Sequence, residues 1–193
     1  SVHHAYRFEG ADGVGKETTA LAFAAALLCR EAPLGCGTCS TCHRVSTFTV
    51  GPPSVPLHPD IVFVGRALYP PEALGGKKET SEISVEQIRR VVLSRVQYPP
   101  HEAAAQVFIV RDAEQLSVSA ANALLKTLEE PRPATHFILL TAQPERLLDT
   151  IRSRTLPVRF APLSQEALAE LLAEREVQEI GRASCRERVC HRV

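Results

Sequence analysis

"GADGVGKETTA", Gly10 to Ala20, is the stretch on which the reading of this chain turns. It follows a short apolar run, "AYRF" (Ala5 to Phe8), and leads into the Ala- and Leu-rich stretch "ETTALAFAAALLCR". A strand, a glycine turn and a helix of strong helix formers are therefore predicted in that order. Gly10, Gly15 and Lys16 match the spacing G-x-x-x-x-G-K, with Gly13 inside it. In such a turn the glycines let backbone N–H groups face a phosphate chain. The helix N-terminus adds partial positive charge, and the lysine reaches the terminal phosphates.

The loop departs from that pattern immediately after the lysine. A hydroxyl belongs there to ligate Mg²⁺, but the residue is Glu17, whose carboxylate would repel phosphate. Thr18 offers the nearest hydroxyl, about 100° further round the helix. A second departure lies in "VFIVRDAEQ". Active ATPases of this class end such a strand in Asp-Glu, the first holding the Mg²⁺ shell and the second polarising the attacking water. Here Asp112 is followed by Ala113, which supplies no base. Glu114 lies two residues from Asp112 and would share its face on an extended segment rather than replace Ala113. A nucleotide-binding scaffold is thus predicted, with ATP and Mg²⁺ doubtful as ligands and no intrinsic hydrolysis.

Outward from the loop, apolar runs alternate with helical patterns. "DIVFV" (Asp60 to Val64), "QVFIV", "HFILLT" and "LPVRF" read as further strands. A Gly- and Pro-rich loop is expected from Gly65 to Glu82. "SVEQIRRVVLSRVQ" opens with Ser84 and has Gln87 three residues on, the pattern of a capping box. "SVSAANALLKTLEEP" is a helix stopped by Pro131, and "ERLLDTIRSR" another. Strands separated by helices, with no two-residue hairpin turns, argue for an α/β fold with a five-stranded parallel sheet covered on both faces.

Cys29, Cys36, Cys39 and Cys42 have the spacing C-x₆-C-x₂-C-x₂-C. Four thiolates so placed can surround one Zn²⁺ tetrahedrally. With no open position, such an ion is structural: it would fasten a small inserted module, about residues 29–45, and activate no water. His43, beside the last cysteine, is an alternative fourth ligand. "GCGTCSTCH" is too polar and Gly-rich to be core.

The ends read differently from the middle. The sequence holds no methionine, so the natural N-terminus is expected to lie before Ser1. From Glu179 onward, "EIGRASCRERVC" has no apolar periodicity and resembles the read-through of a sequencing adapter, so residues 179–193 are expected to be non-native and are left out of the fold. With the tail's four arginines and two acids set aside, 22 basic and 22 acidic residues become 18 and 20, a net charge of −2. A protein that binds nucleic acid alone usually carries a positive excess, so contact with DNA is expected to be shared with partners. No apolar run approaches the roughly 20 residues of a membrane span, and a cytoplasmic location is expected.

"TIRSRT", Thr150 to Thr155, places Arg152 and Arg154 near the C-terminal end of a predicted helix. Two readings stay open there: cations that complement the helix dipole, or a guanidinium offered to the γ-phosphate of a neighbouring subunit.

Taken together, "HHAYRFEGADGVGKETTALAFAAALLC", the cysteine quartet, "HPDIVFV", "ISVEQIRR", "VFIVRDAEQLSVSAANALLKTLEEP" and "HFILLTAQPERLLDTIRSRT" resemble the bacterial clamp-loader family of AAA+ proteins. The resemblance runs from His4 to Glu176. It implies a P-loop NTPase-like domain over residues 1–163 and the start of a helical lid over 164–178. It further implies a hetero-pentamer with delta and with gamma or tau, which places a sliding clamp on primed DNA. One member of that ring looks like a donor of an arginine finger from Ser-Arg-Cys that does not itself hydrolyse ATP. Ser153, Arg154 and Thr155 match it except at the third residue. Thr141 falls where the family senses the γ-phosphate. The resemblance also admits an ATP-hydrolysing gamma or tau type, against which Glu17 and Ala113 argue. A stand-alone zinc module binding nucleic acid is disfavoured by the acidic balance and the surrounding sheet.

Overall fold

The computed structural model describes residues 2–76 and 82–162, together with 164, 167, 169, 170 and 173. The apolar runs become five strands: β1 (Ala5–Glu9), β2 (Ile61–Val64), β3 (Gln106–Val110), β4 (Thr135–Thr141) and β5 (Leu156–Arg159). All pair in parallel, in the order β2-β3-β4-β1-β5. The central strands β3 and β4 carry unbroken apolar runs, Val107–Val110 and Phe137–Leu140, because both of their faces are covered.

Alternate side chains feed two cores. On one face α1 (Lys16–Leu28) presents Ala20, Ala24 and Leu28, one helical turn apart, to Phe8, Phe63, Ile109 and Ile138. Small residues at these turns let the helix lie close to the sheet. On the other face, Phe108 and Phe137 stack with ring centroids 4.9 Å apart. They meet α5 (Val118–Glu129) through Leu124 and Leu128, and a helical run through Ile88, Val92 and Val96.

That helical run is less regular than its pattern suggests: α3 (Val85–Gln87) and α4 (Ser94–Val96) flank a π-helical stretch, Ile88–Leu93. Half of the expected capping box forms. Ser84 Oγ accepts from the Gln87 amide at 3.2 Å, whereas the Gln87 side chain donates to the Gly65 carbonyl at 2.9 Å. Gln87 is fully buried, and the carbonyl at the end of β2 is the acceptor within its reach. Ser117 caps α5 through the Ala120 amide at 3.2 Å. The helix expected over "ERLLDTIRSR" is shorter. Leu148 is extended (φ −58°, ψ 138°), so a 3₁₀ turn, Pro144–Arg146, is separated from the single turn α6 (Asp149–Arg152). Within the expected loop after β2, Pro71–Leu74 forms a 3₁₀ turn.

Asp60, just before β2, organises the approach to β3. Its carboxylate accepts from the amides of His101, Glu102 and Ala103 at 2.5, 2.9 and 2.8 Å. Burial opposes its ionisation, but the three N–H donors outweigh burial and hold the carboxyl below its ordinary range. Asp60→Ala strips an acceptor from all three donors and is expected to cost about 1–3 kcal/mol, measured by urea unfolding. Equal midpoints for the two proteins would contradict this.

The chain divides after Phe160 into two units. In the second, the Ala167 amide donates to Ser164 Oγ at 3.2 Å, and Ala167, Ala169, Glu170 and Ala173 are helical. The rest of the expected lid segment 164–178 and the expected tail 179–193 lie outside the described residues.

Candidate functional site

The Gly-rich turn leaves the C-terminal end of β1, where open parallel sheets place their ligands. Gly10 is required by close approach: a Cβ there would lie 2.6 Å from the Phe160 carbonyl oxygen. Its amide donates to the Thr141 carbonyl at 3.2 Å, tying the turn to the end of β4. Gly15, with φ 89° and ψ 13°, turns the chain into α1. The turn borders an open pocket of about 330 Å³, lined by Asp12, Gly13, Gly15, Lys16, Glu17, Thr18, Arg111, Asp112 and Leu140. Of the residues singled out in the sequence, Gly13, Gly15, Lys16, Thr18 and Asp112 line this pocket, whereas Gly10 and Thr141 do not.

The charges in this pocket are arranged against themselves. Lys16 Nζ donates to the carbonyls of Gly10 and Ala11 at 2.5 and 2.8 Å, with Asp12 at 3.7 Å. Arg111 Nε meets Glu17 Oε2 at 2.9 Å, and the guanidinium lies 5.7 Å from the centroid of the Phe63 ring. Asp112 has a left-handed backbone (φ 47°, ψ 52°). Burial first, then the neighbouring carboxylates of Glu114 and Asp12, raise its pKa above the ordinary value. Ala113 is fully buried. Glu114 is engaged elsewhere, accepting from the Ala142 amide at 3.3 Å. Thr141 is buried, and its hydroxyl accepts from the Gln143 amide at 3.1 Å. Arg111 escaped the sequence reading, because a basic residue just past a strand looks like ordinary surface. A carboxylate paired with a guanidinium thus stands where a hydroxyl would ligate Mg²⁺.

The cysteine quartet lies beside the C-terminal end of α1. All four sulfurs fall within 4.8 Å of one another, with Cys29–Cys39 and Cys36–Cys42 each at 3.9 Å. Sulfurs about 2.3 Å from a tetrahedral Zn²⁺ would be about 3.8 Å apart, so the donor set fits that ion. Backbone amides complete the knuckle. Cys39 N donates to Cys36 Sγ at 3.2 Å and Cys42 N to Cys39 Sγ at 3.4 Å, the latter capping α2 (Ser40–Ser46). The Cys39 amide, aided by Thr38, lowers the Cys36 thiol to about 6, whereas burial pushes Cys42 up to about 11. His43 is turned from the sulfurs, its Nδ1 3.4 Å from Thr47 Oγ1. Glu102 moors the module to the body, contacting Arg44 and, at 3.1 Å, His58 Nε2. Arg30 donates to the Glu102 carbonyl.

Arg154 stands at the other end of the sheet, just before β5 begins. β1 has five residues, which separates this corner from the Gly-rich turn by roughly 17 Å. The guanidinium donates to Glu129 at 2.7 Å, to the Thr150 carbonyl at 2.8 Å and to Ser153 Oγ at 3.1 Å. A further N–H faces the same Glu129 oxygen. The corner is braced from β1. Arg7, buried against Glu9 at 2.6 Å, donates to the Arg152 carbonyl at 3.0 Å and to Thr155 Oγ1 at 2.8 Å. Thr155 Oγ1 in turn donates to the Ile151 carbonyl at 2.9 Å. A hydroxyl at position 155 therefore has two partners suited to it, which accounts for threonine at the place where the resemblance anticipates cysteine.

Comparison with known proteins adds to this geometry. A family model described as DNA polymerase III, delta subunit, matches residues 1–164. The chain is 35% identical over 175 residues to DNA polymerase III subunit delta' of Bacillus subtilis, covering 90% of this chain and 47% of that protein. It is 38% identical over 175 residues to the delta' subunit of Pseudomonas aeruginosa, covering 89% and 48%. A gamma/tau subunit of Mycobacterium tuberculosis is 34% identical over 174 residues, covering 89% of this chain and 27% of the relative. The chain thus spans about half the length of the delta' relatives. Among solved structures, a gamma-subunit-related protein of DNA polymerase III from Thermotoga maritima shares the fold, with a TM-score of 0.54 and 22% identity over 86% of this chain and 43% of that one.

Proposed function

Because the chain belongs to the DNA polymerase III delta subunit family, we propose that it acts as a delta'-type subunit of a bacterial clamp loader, a part that hydrolyses no ATP and lends Arg154 to a neighbour. The observation that carries this reading is the division of labour between the two ends of the sheet. At one end the phosphate-binding turn is occupied by its own charges, Lys16 on loop carbonyls and Glu17 on Arg111. At the other, an arginine stands half-exposed at a rigid corner, too far from that turn to serve it.

In this reading the partners are delta and gamma or tau subunits, the sliding clamp and, through the assembly, primed DNA. The cysteine quartet holds a structural Zn²⁺, and the loader works in the cytoplasm. Among the described residues no helix is long and apolar enough to cross a membrane, consistent with that placement. Residues 1–163 form the nucleotide-binding-like domain and 164–178 begin the lid. The relatedness to gamma/tau subunits supports a second reading as a hydrolysing subunit. Glu17, paired with Arg111 where a hydroxyl would ligate Mg²⁺, and the buried Ala113 weigh against it.

The full-length subunit, purified alone, is expected to show no Mg²⁺-dependent ATP turnover above that of its Lys16→Ala variant. Turnover lost on that substitution would reverse the assignment to the hydrolysing type.

A further inference from the structure

In an active phosphate-binding loop, two positions hold the Mg²⁺ jointly: the hydroxyl residue after the lysine, and an acid at the end of the facing strand. The first is Glu17. The second is fixed by the backbone. β3 ends at Val110, and the next amide, that of Arg111, still donates to the Val64 carbonyl of the neighbouring strand at 2.8 Å. Arg111 is thus the first residue off the strand. Its side chain reaches the pocket and meets Glu17 at 2.9 Å. Asp112 follows in a left-handed turn and also lines the pocket. The hydroxyl position and the first position past the strand therefore hold residues that bond to each other, while Asp112, the acid that the sequence pattern matched to the Mg²⁺ shell, comes one residue later in the turn.

We infer that the Glu17–Arg111 ion pair replaces the divalent ion: it ties the first turn of α1 to the end of β3 across the open pocket, so that the pocket keeps its shape with neither metal nor nucleotide. The charge balance agrees. A Mg²⁺ held by one hydroxyl and one carboxylate leaves a positive charge for phosphate, whereas one guanidinium and one carboxylate leave none. Around the pair, Asp12 and Asp112 face Lys16 as the remaining cation among the lining residues. A polyanion therefore meets no net attraction there. The inference rests on reading the turn as a degenerate nucleotide site.

The test uses the full-length subunit and Mg-ADP, titrated calorimetrically with and without EDTA. The double variant Glu17→Thr/Arg111→Asp restores a hydroxyl and a strand-end carboxylate. It is expected to bind Mg-ADP on the order of 100-fold more tightly than the parent, with the gain lost in EDTA. Glu17→Thr alone should gain little, because Arg111 still occupies the metal position. The swapped pair Glu17→Arg/Arg111→Glu should recover most of the drop in Tm caused by either single change, without gaining affinity. A folded double variant that gains no affinity, a Glu17→Thr variant that gains as much as the double, or a swap that recovers nothing would each overturn the inference. Hydrolysis by the parent would instead defeat the functional reading on which it rests, so the two failures are distinguishable.

Discussion

Replacing Arg154 by alanine is expected to slow ATP hydrolysis at the adjoining subunit's pocket by about 10³-fold or more, while the loader still assembles. The size follows from what a guanidinium does at a transferring phosphoryl group: it meets charge that exists only in the transition state. The sparing of assembly follows from the surroundings. The corner is held by Arg7, Thr155 and the Arg152 carbonyl, not by Arg154 itself. In this structure four of the five N–H groups of Arg154 are used internally, two of them on Glu129. Engagement of a phosphate therefore requires Glu129 to give way. Lysine, lacking the planar fork, should not substitute. The measurement is single-turnover hydrolysis in a reconstituted loader whose adjoining subunit is the sole one competent for ATP, with gel filtration to confirm assembly. An unchanged rate would remove the finger assignment.

The second large effect is expected at the cysteines. A structural Zn²⁺ site contributes about 10–16 kcal/mol of apparent binding free energy in small zinc modules, and here it would hold a Gly-rich segment with little core of its own. Within α2 the buried residues are Cys42 and Val45. Cys39→Ala removes both a ligand and the sulfur that caps α2 through Cys42 N. Loss of stoichiometric zinc and rapid proteolysis between residues 29 and 46 are expected. The sheet should survive, since α2 gives the two cores Val45 alone and the rest comes mainly from α1, α5, the Ile88–Val96 run and the strands. Zinc content and the sites of limited proteolysis decide the matter. A parent protein without zinc, or a variant cleaved no faster than the parent, would contradict the assignment.

These two sites were not equally legible beforehand. The strands could be read because buried parallel strands are runs of Val, Ile, Leu and Phe, a local signal. The Gly-rich turn could be read because its spacing is itself the geometry. The cysteine spacing likewise anticipates a cluster that folding draws together. The partnership of Glu17 with Arg111 was hidden, for it joins residues from different elements and neither residue type betrays it. Helix α2 was missed for a related reason. "STCHRVS" lacks an apolar period, and its helicity depends on a sulfur cap and on mooring through Glu102. The pattern "ERLLDTIRSR" misled in the opposite sense. Its composition suits a helix, yet Leu148 is held extended beside a buried Leu147 and Ile151, so tertiary packing overrides propensity.

The central claim, that this chain offers its arginine outward and leaves its own phosphate turn empty, is tested most directly by the structure of the assembled loader bound to a Mg-nucleotide transition-state analogue. The account predicts the analogue in the neighbouring pocket within hydrogen-bond reach of Arg154, released from Glu129, and Glu17 still paired with Arg111. An analogue seated on Lys16 of this chain, its metal held at Glu17 or Asp112 and Arg154 still on Glu129, would contradict it.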